Sequence, residues 1–309
     1  MGLEFNHIPV MLKEAIEYLN INPDGIYCDL TLGGGSHSLE ILKRLGKGYL
    51  ISLDRDIDAI NFSAERLREY KDKIHIVNDN YVNIKNIANS LGYEKIDGAL
   101  IDLGISSWQI ESDRGFSYIK NSPLRMTMEK DQELTAAVVV NTFGKDELKK
   151  ILYDYGEERY SELIVREIIR RRTEKPIETT LELADTIKYA VRNVRYDGHP
   201  CKRTFQSIRI FVNSEIDHIE PALDSVEQML NSGGRLVVIS FHSGEDRVVK
   251  KSYEKYAKNC ICPSSLPVCV CNKRATSKII TKKPVYPSKG EIEENPRSGS
   301  AKLRALEKL

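Results

Sequence analysis

From Ile26 to about Leu103 the chain alternates short apolar runs with amphipathic ones. The segments "GIYCDLTL", "GYLISLDRD", "KIHIVNDN" and "KIDGALIDLG" read as strands, each closing on polar residues. Between them, "SHSLEILKRL" sets Leu39, Ile41, Leu42 and Leu45 on one helical face, and "IDAINFSAERLREY" and "YVNIKNIANSLG" read as further helices. Strands separated by such helices predict parallel βαβ units, hence an α/β, doubly wound, Rossmann-like sheet. Sheets of this kind hold ligands at the carboxyl ends of their strands. Asp29, Asp54, Asp79 with Asn80, and Asp102 all fall at those ends.

After Gly104 the alternation stops. Residues 105 to about 132 read as loop, and from about Thr135 to Arg195 the pattern is helical throughout. We expect an inserted helical, substrate-recognition domain over 107–200, with the sheet domain formed by 1–106 and 201–309. One long helix is expected from about Arg203 to Leu230, closing at Gly233-Gly234. "RLVVISFHS" then reads as a fifth strand and "DRVVKKSYEKYAKN" as a last long helix. "KIITKKPVYPS" and "AKLRALEKL" read as a closing, antiparallel pair of strands.

Composition narrows the function classes without choosing one. With 309 residues, 41% hydrophobic and 29% charged, the chain has the profile of a soluble protein of about two domains. No apolar run approaches the roughly 20 residues of a membrane span. The start, "MGLEFNHIPV", has no basic-then-apolar leader, and Asn6 stands where a myristoylation signal wants Ser or Thr. A cytoplasmic location is therefore expected, with reduced thiols and no disulfide framework among the six cysteines. The net charge is +1, yet from Lys273 onward ten Lys or Arg stand against four Glu. Arg192, Arg195, Lys202, Arg203 and Arg209, against Asp197 alone, form a second basic stretch. Two such segments are the footprint of a polyanion partner, or else solvated surface charge.

The glycine turn in "YCDLTLGGGSHSLEILKRLG" carries the chemistry. A nucleotide-triphosphate loop needs Gly-Lys-Ser/Thr, and here no Lys follows until Lys43. A dinucleotide fingerprint fits Gly33, Gly35 and the acid Asp54, but its third glycine falls on Ser38. Asp29, ahead of the turn, repels a pyrophosphate and attracts a cation. S-adenosylmethionine is cationic, free of phosphate, and carries two ribose hydroxyls. Asp29 suits its ammonium, the two oxygens of Asp54 suit the hydroxyls, and Tyr81 is placed to cover the adenine. A nicotinamide cofactor is the alternative.

Several blocks resemble one family along the whole chain: "HIPVMLKEAIEYL", "DGIYCDLTLGGGSHS", "LDRD", "IDLGISSWQ", "RGFSY", "YGEERYS", "RTFQSIRIFVNSE", "FHSGEDRVVK" and "NPRSGSAKLR". They are similar to the MraW-type (ribosomal RNA small subunit methyltransferase H) family. The resemblance implies a methyltransferase fold with a helical insert. It also implies S-adenosylmethionine-dependent N4-methylation of a cytidine in small-subunit ribosomal RNA near the decoding site. By match to the family's positions, Gly35, Ser36, His37, Asp54, Tyr81, Asp102 and Gln109 are expected to contact the methyl donor. The chain departs from the family's usual residues at Trp108, Arg125, Thr127, Gly244 and Gly299. Those departures leave room for a paralogous RNA methyltransferase with a changed target, or for a non-catalytic RNA-binding assembly protein.

Methyl transfer is an in-line displacement, and the attacking exocyclic nitrogen becomes positive as it reacts. An acceptor aimed at its hydrogens helps most. Asp102 is the candidate catalytic acceptor; its plainer role is to bind the donor only. Trp108, Phe116 and Tyr118 are candidates for stacking on an unpaired base, and Arg203, Arg209, Arg247, Arg297, Lys302 and Arg304 for RNA phosphates. His242 can bind substrate, cap the next helix or support Asp102. The cysteines in "CICPSSLPVCVC" (Cys260, Cys262, Cys269, Cys271) read as thiols in a loop, with zinc the alternative despite the C-x-C spacing. No metal ligand is assigned.

Overall fold

The computed structural model describes residues 9–260, 262, 263, 266, 268 and 270–309, apart from the side chain of Ser107. Residues 1–8, which include Asn6 and most of the stretch "MGLEFNHIPV", lie outside that set, as does Cys269. The chain divides into two compact units, Met1–Gly104 with Ile216–Leu309, and Ile105–Glu215.

The first unit is built on a seven-stranded sheet. Its strands are β1 (Ile26–Asp29), β2 (Tyr49–Asp54), β3 (Ile74–Asn78), β4 (Ile96–Asp102), β5 (Leu230–Ser240), β6 (Ser277–Ile279) and β7 (Lys302–Lys308). The order is β3-β2-β1-β4-β5-β7-β6. The first five run parallel, and β7 lies antiparallel between β5 and β6. Both faces are covered, which is why the strands read as nearly continuous apolar runs. On one side Ile51, Leu53, Ala99, Ile101 and Val238 pack with residues of the helices Ile219–Met229 and Ser243–Ala257. On the other, Leu50, Leu100, Val237 and Ile239 pack with the helices Leu12–Leu19 and Ser36–Leu42.

The chain lays β2 and β3 on one side of β1, then crosses to place β4 on the other. That reversal opens a crevice at the carboxyl ends of β1 and β4, the ligand position in this architecture. Asp29 ends β1 and Asp102 ends β4.

The second unit is helical, with Ala136–Thr142, Lys145–Gly156, Ser161–Glu174, Thr180–Ala190 and Cys201–Val212 as its principal helices. Thr135 and Thr179 cap two of them through their hydroxyls, each accepting a backbone N–H. The unit extends to Glu215, beyond the expected limit at 200. Cys201, Phe205, Ile208 and Val212 make an apolar stripe at helical spacing that belongs to this unit's core, so the helix carrying them does too.

The single helix expected over 203–230 is two helices, Cys201–Val212 and Ile219–Met229. Asn213 causes the break. Its buried side chain donates to the Met126 carbonyl at 2.7 Å and accepts from Met128 N at 2.8 Å. Ser214 follows in the left-handed region, with φ 50°. Of the closing pair of strands, β6 is much shorter than expected, and β7 pairs with β5 as well as β6.

Within the helical unit the helices 145–156 and 201–212 approach most tightly at Gly156. A methyl group there would stand 2.1 Å from Ser207 Oγ and 2.8 Å from the Arg203 carbonyl oxygen. Ser207 can rotate, but the carbonyl cannot. Gly156→Ala should therefore destabilise the unit by about 1–3 kcal/mol, seen as a lower urea midpoint. An unchanged midpoint would mean that the two helices slide apart at little cost.

Candidate active site

The glycine turn leaves β1 and is held by its neighbours across the sheet. Leu30 N donates to the Leu100 carbonyl at 2.9 Å and Leu32 N to the Leu53 carbonyl at 2.8 Å. Gly35 has φ 73°, and an added Cβ would meet Ser63 Oγ at 3.0 Å and Ser63 Cβ at 3.2 Å. Only glycine suits both the conformation and the gap. Ser63 Oγ donates to the Gly33 carbonyl at 2.7 Å. Arg66 donates to the Gly34 carbonyl at 2.7 Å and to Ser36 Oγ at 3.0 Å. Ser36 is thus buried and pinned by Arg66.

Asp54, at the end of β2, is fixed by the turn it serves. Oδ2 accepts from Gly33 N at 2.8 Å and Oδ1 from Asp56 N at 2.9 Å. Each oxygen keeps a further lone pair for a hydroxyl donor. Burial pushes its carboxyl up to about 6, with Asp56 and Asp29 adding repulsion against the two backbone amides.

Asp29 faces inward. It is fully buried, with Oδ2 accepting from Ser38 Oγ at 2.7 Å and Oδ1 from Thr31 N at 3.3 Å. Burial pushes it up to about 6 as well, partly offset by those hydrogen bonds. Asp29 is thus tied into the turn by Ser38 and Thr31, and its charge acts on the crevice through space.

Asp102 and His37 form the centre. Asp102 N donates to Thr31 Oγ1 at 2.7 Å, which ties the end of β4 to the glycine turn. Asp102 Oδ1 is buried and has no hydrogen-bond partner among the described residues. Its carboxyl lies well above the ordinary range because of burial first, then the charges of Asp29 and Glu245. His37 is buried, with Nε2 3.2 Å from the Val10 carbonyl, so Nε2 carries the proton. Burial pushes the imidazole down to about 4, against the pull of that carbonyl. At neutral pH Nδ1 is therefore an acceptor, 4.0 Å from Asp102 Oδ2. Two acceptors facing each other over an unsatisfied oxygen call for a ligand that donates hydrogen bonds or carries positive charge.

Tyr81 opens a single helical turn, Tyr81–Asn83, after β3. Its ring meets His218 edge-on at 6.4 Å, and Asn80 Nδ2 lies 3.1 Å from His218 Nδ1. Gly35, Ser36, His37, Asp54, Tyr81 and Asp102 thus all belong to the sheet unit, on or next to its strand ends. Gln109 belongs to the helical unit, where Oε1 accepts from Ser106 N at 3.0 Å and closes a capping box. Sequence reasoning misses Thr31, Ser63, Arg66 and Glu245. Their roles arise from contacts that no local pattern announces.

Of the other nominations, the helix-cap reading of His242 holds and several others find partners within the fold. His242 caps the helix Ser243–Ala257, with Nδ1 accepting from Glu245 N at 3.3 Å while Glu245 accepts from His242 N at 3.2 Å. Phe116 lies in the helical unit's core, and Tyr118 stacks on His199 with centroids 4.3 Å apart. Arg209 grips Glu215 with two bonds of 2.8 Å, and Arg304 grips Asp246 at 2.6 and 3.1 Å. Those two guanidiniums hold the fold together rather than offering themselves to phosphates. Gly244 sits where an added Cβ would meet His242 Nδ1 and Ile216 Cδ1 at 3.1 Å each, whereas at Gly299 the nearest atom is Ile292 Cγ2 at 3.8 Å. The first departure is a packing adjustment; the second has room for a side chain.

A family model described as the MraW methylase family matches residues 4–309. "Ribosomal RNA small subunit methyltransferase H" of Clostridioides difficile (strain 630) is 50% identical over 99% of this chain and 100% of that protein. "Ribosomal RNA small subunit methyltransferase H 2" of Agathobacter rectalis is 49% identical, covering 99% of each. Among solved structures, an rRNA methylase from Streptococcus thermophilus superposes with a TM-score of 0.42 at 12% identity, covering 96% of this chain and 93% of that one.

Proposed function

The chain belongs to the MraW methylase family, and from that premise we propose that it methylates N4 of a cytidine in small-subunit ribosomal RNA, near the decoding site, using S-adenosylmethionine. The observation that carries this reading is the pair of acceptors His37 Nδ1 and Asp102 Oδ2, set over the acidic strand ends. The residues present fit the donor. The Gly35 cradle leaves no room for a side chain, Asp54 offers an acceptor to each of two hydroxyls, and the unsatisfied Asp102 Oδ1 wants a donor. Asp29, Asp54, Asp102 and Glu245 make the crevice hostile to a pyrophosphate, which disfavours a nicotinamide cofactor.

When bound, S-adenosylmethionine supplies an electrophilic methyl group on a cationic sulfur. The rest of the chemistry belongs to the chain. Asp102 accepts a hydrogen from the cytosine amine as that nitrogen turns positive, and its raised pKa makes it a better base than an exposed carboxylate. Thr31 holds the end of β4, and with it the aspartate, in place, and His37 shapes the acceptor surface beside it. The target cytidine must be unpaired or turned out of its helix to reach them. The cytoplasm, where small subunits are assembled, is the compartment this substrate implies. Among the described residues no helix is long and apolar enough to cross a membrane.

The test offers tritiated donor to small subunits and to naked ribosomal RNA from a strain lacking the gene, followed by nucleoside analysis. Label in N4-methylcytidine is expected. Label elsewhere in the RNA would point to a changed target, and label on neither substrate would reject the reading.

Donor affinity should depend on pH through Asp54, whose carboxyl lies at about 6. The ionised form is the acceptor, so affinity should fall as pH drops through 6, roughly tenfold between pH 7 and 5 for each carboxylate required. Stability of the unliganded chain should move the other way. A carboxyl raised by burial favours the folded state below its unfolded value of about 4, and that contribution is lost as pH rises to about 6. Titration calorimetry beside urea denaturation separates the two, and affinity independent of pH would remove Asp54 from the donor site.

A further inference from the structure

The sheet unit carries a segment that methyl transfer does not use. Between the helix Ser243–Ala257 and β6 the chain makes a long excursion with no helix or strand among its described residues. Its base is tied by Thr276 N donating to the Tyr256 carbonyl at 3.0 Å and Ala275 N to Asn259 Oδ1 at 2.9 Å. Beyond that base none of its described residues joins an apolar core. Leu266 is 47% exposed, and Val268 and Val270 are each 70% exposed. A loop of this length loses considerable entropy on ordering, and hydrophobic burial does not offset that loss.

Three thiols converge there. The sulfurs of Cys260, Cys262 and Cys271 lie within 4.8 Å of one another. Cys260 Sγ and Cys271 Sγ are 3.8 Å apart. Tetrahedral zinc with Zn–S bonds of about 2.3 Å has a sulfur–sulfur edge of about 3.8 Å, so two of the thiols already stand at a coordination edge. A disulfide would need the sulfurs at roughly 2 Å. Cys262 N donates to Cys260 Sγ at 3.4 Å, the kind of amide-to-sulfur bond that stabilises a metal-bound thiolate. The C-x-C spacing is compatible with this role, because residues two apart in extended chain project to the same side.

We propose that Cys260, Cys262 and Cys271 ligate a structural zinc ion that orders this loop. Each thiol releases its proton as it binds, so the site forms with loss of protons and no change of oxidation state. Zinc in a structural site takes four ligands. The three described thiols supply three of them. This assignment stands independently of the methyl-transfer reading.

The experiment is metal analysis of the full chain, purified under reducing conditions without chelator. About one zinc per chain is expected. Replacing the metal with cobalt should give the intense thiolate-to-cobalt charge-transfer band together with the visible bands of tetrahedral cobalt. The double variant Cys260→Ser/Cys271→Ser should lose the metal and the cobalt spectrum, while keeping the parent's far-UV circular dichroism and donor affinity. Zinc far below one per chain after dialysis against zinc would overturn the proposal. So would full retention of zinc by the double variant, or iron in its place. Should the double variant fail to fold, the parent's zinc content and cobalt spectrum still decide the matter.

Discussion

Asp54→Ala is expected to reduce affinity for S-adenosylmethionine roughly 10²–10⁴-fold, the largest effect of any single change in the donor site. Two hydrogen bonds to a charged acceptor contribute about 1.5–3 kcal/mol each, and both ribose hydroxyls would lose their partner. The substitution also strips Gly33 N and Asp56 N of their acceptor, so the glycine turn loosens as well. Asp54→Asn separates the two effects, because an amide oxygen can still accept one of those backbone bonds while the charge is gone. Calorimetry measures the loss directly. A dissociation constant within threefold of the parent's would remove Asp54 from the donor site and leave it a structural acid of the turn.

Asp102→Asn should lower the rate of methyl transfer by roughly 10²–10⁴-fold, the range for a positioned acid or base, and should change donor affinity much less. The asparagine keeps the shape, but its amide can donate towards His37 Nδ1, which removes both acceptors from the pair at once. Single-turnover rates with saturating donor report the chemical step, and calorimetry reports binding. If affinity falls while the saturated rate does not, Asp102 serves donor binding only. If neither falls, the acceptor for the cytosine amine lies elsewhere.

Both predictions rest on residues visible in the sequence, and the reason is local. Asp29, Asp54 and Asp102 each end an apolar run, and a period-two pattern tells where a strand stops. Residue types alone also argue against a pyrophosphate at the acidic turn, because the signs of nearby charges do not depend on fine geometry. The helices of the insert are legible for a similar reason: Lys145–Gly156 and Ser161–Glu174 fall within the stretch from about Thr135 to Arg195 that reads as helical.

The misreadings share a different cause. The apolar stripe from Cys201 to Val212 reads as continuous with the helix that follows, and the break comes from Asn213 reaching Met126 and Met128, 87 and 85 residues away in the chain. Arg209 and Arg304 read as free cations, but Glu215 and Asp246 claim them. Tyr118 reads as a stacking platform, but His199 covers its face. In each case the residue type is informative, and its availability is decided by a partner that the sequence does not place.

By itself the sequence determined the parallel sheet, the placing of the candidate site residues at the strand ends and the sign of their charge, because these follow from short-range periodicity and composition. Only the tertiary structure decided that Asp29 turns inward, that Asp102 keeps an unsatisfied oxygen opposite an unprotonated His37 nitrogen, and that three thiols meet at coordination distance. Burial and hydrogen-bond partnership are properties of chain segments brought together, and a one-dimensional pattern records neither.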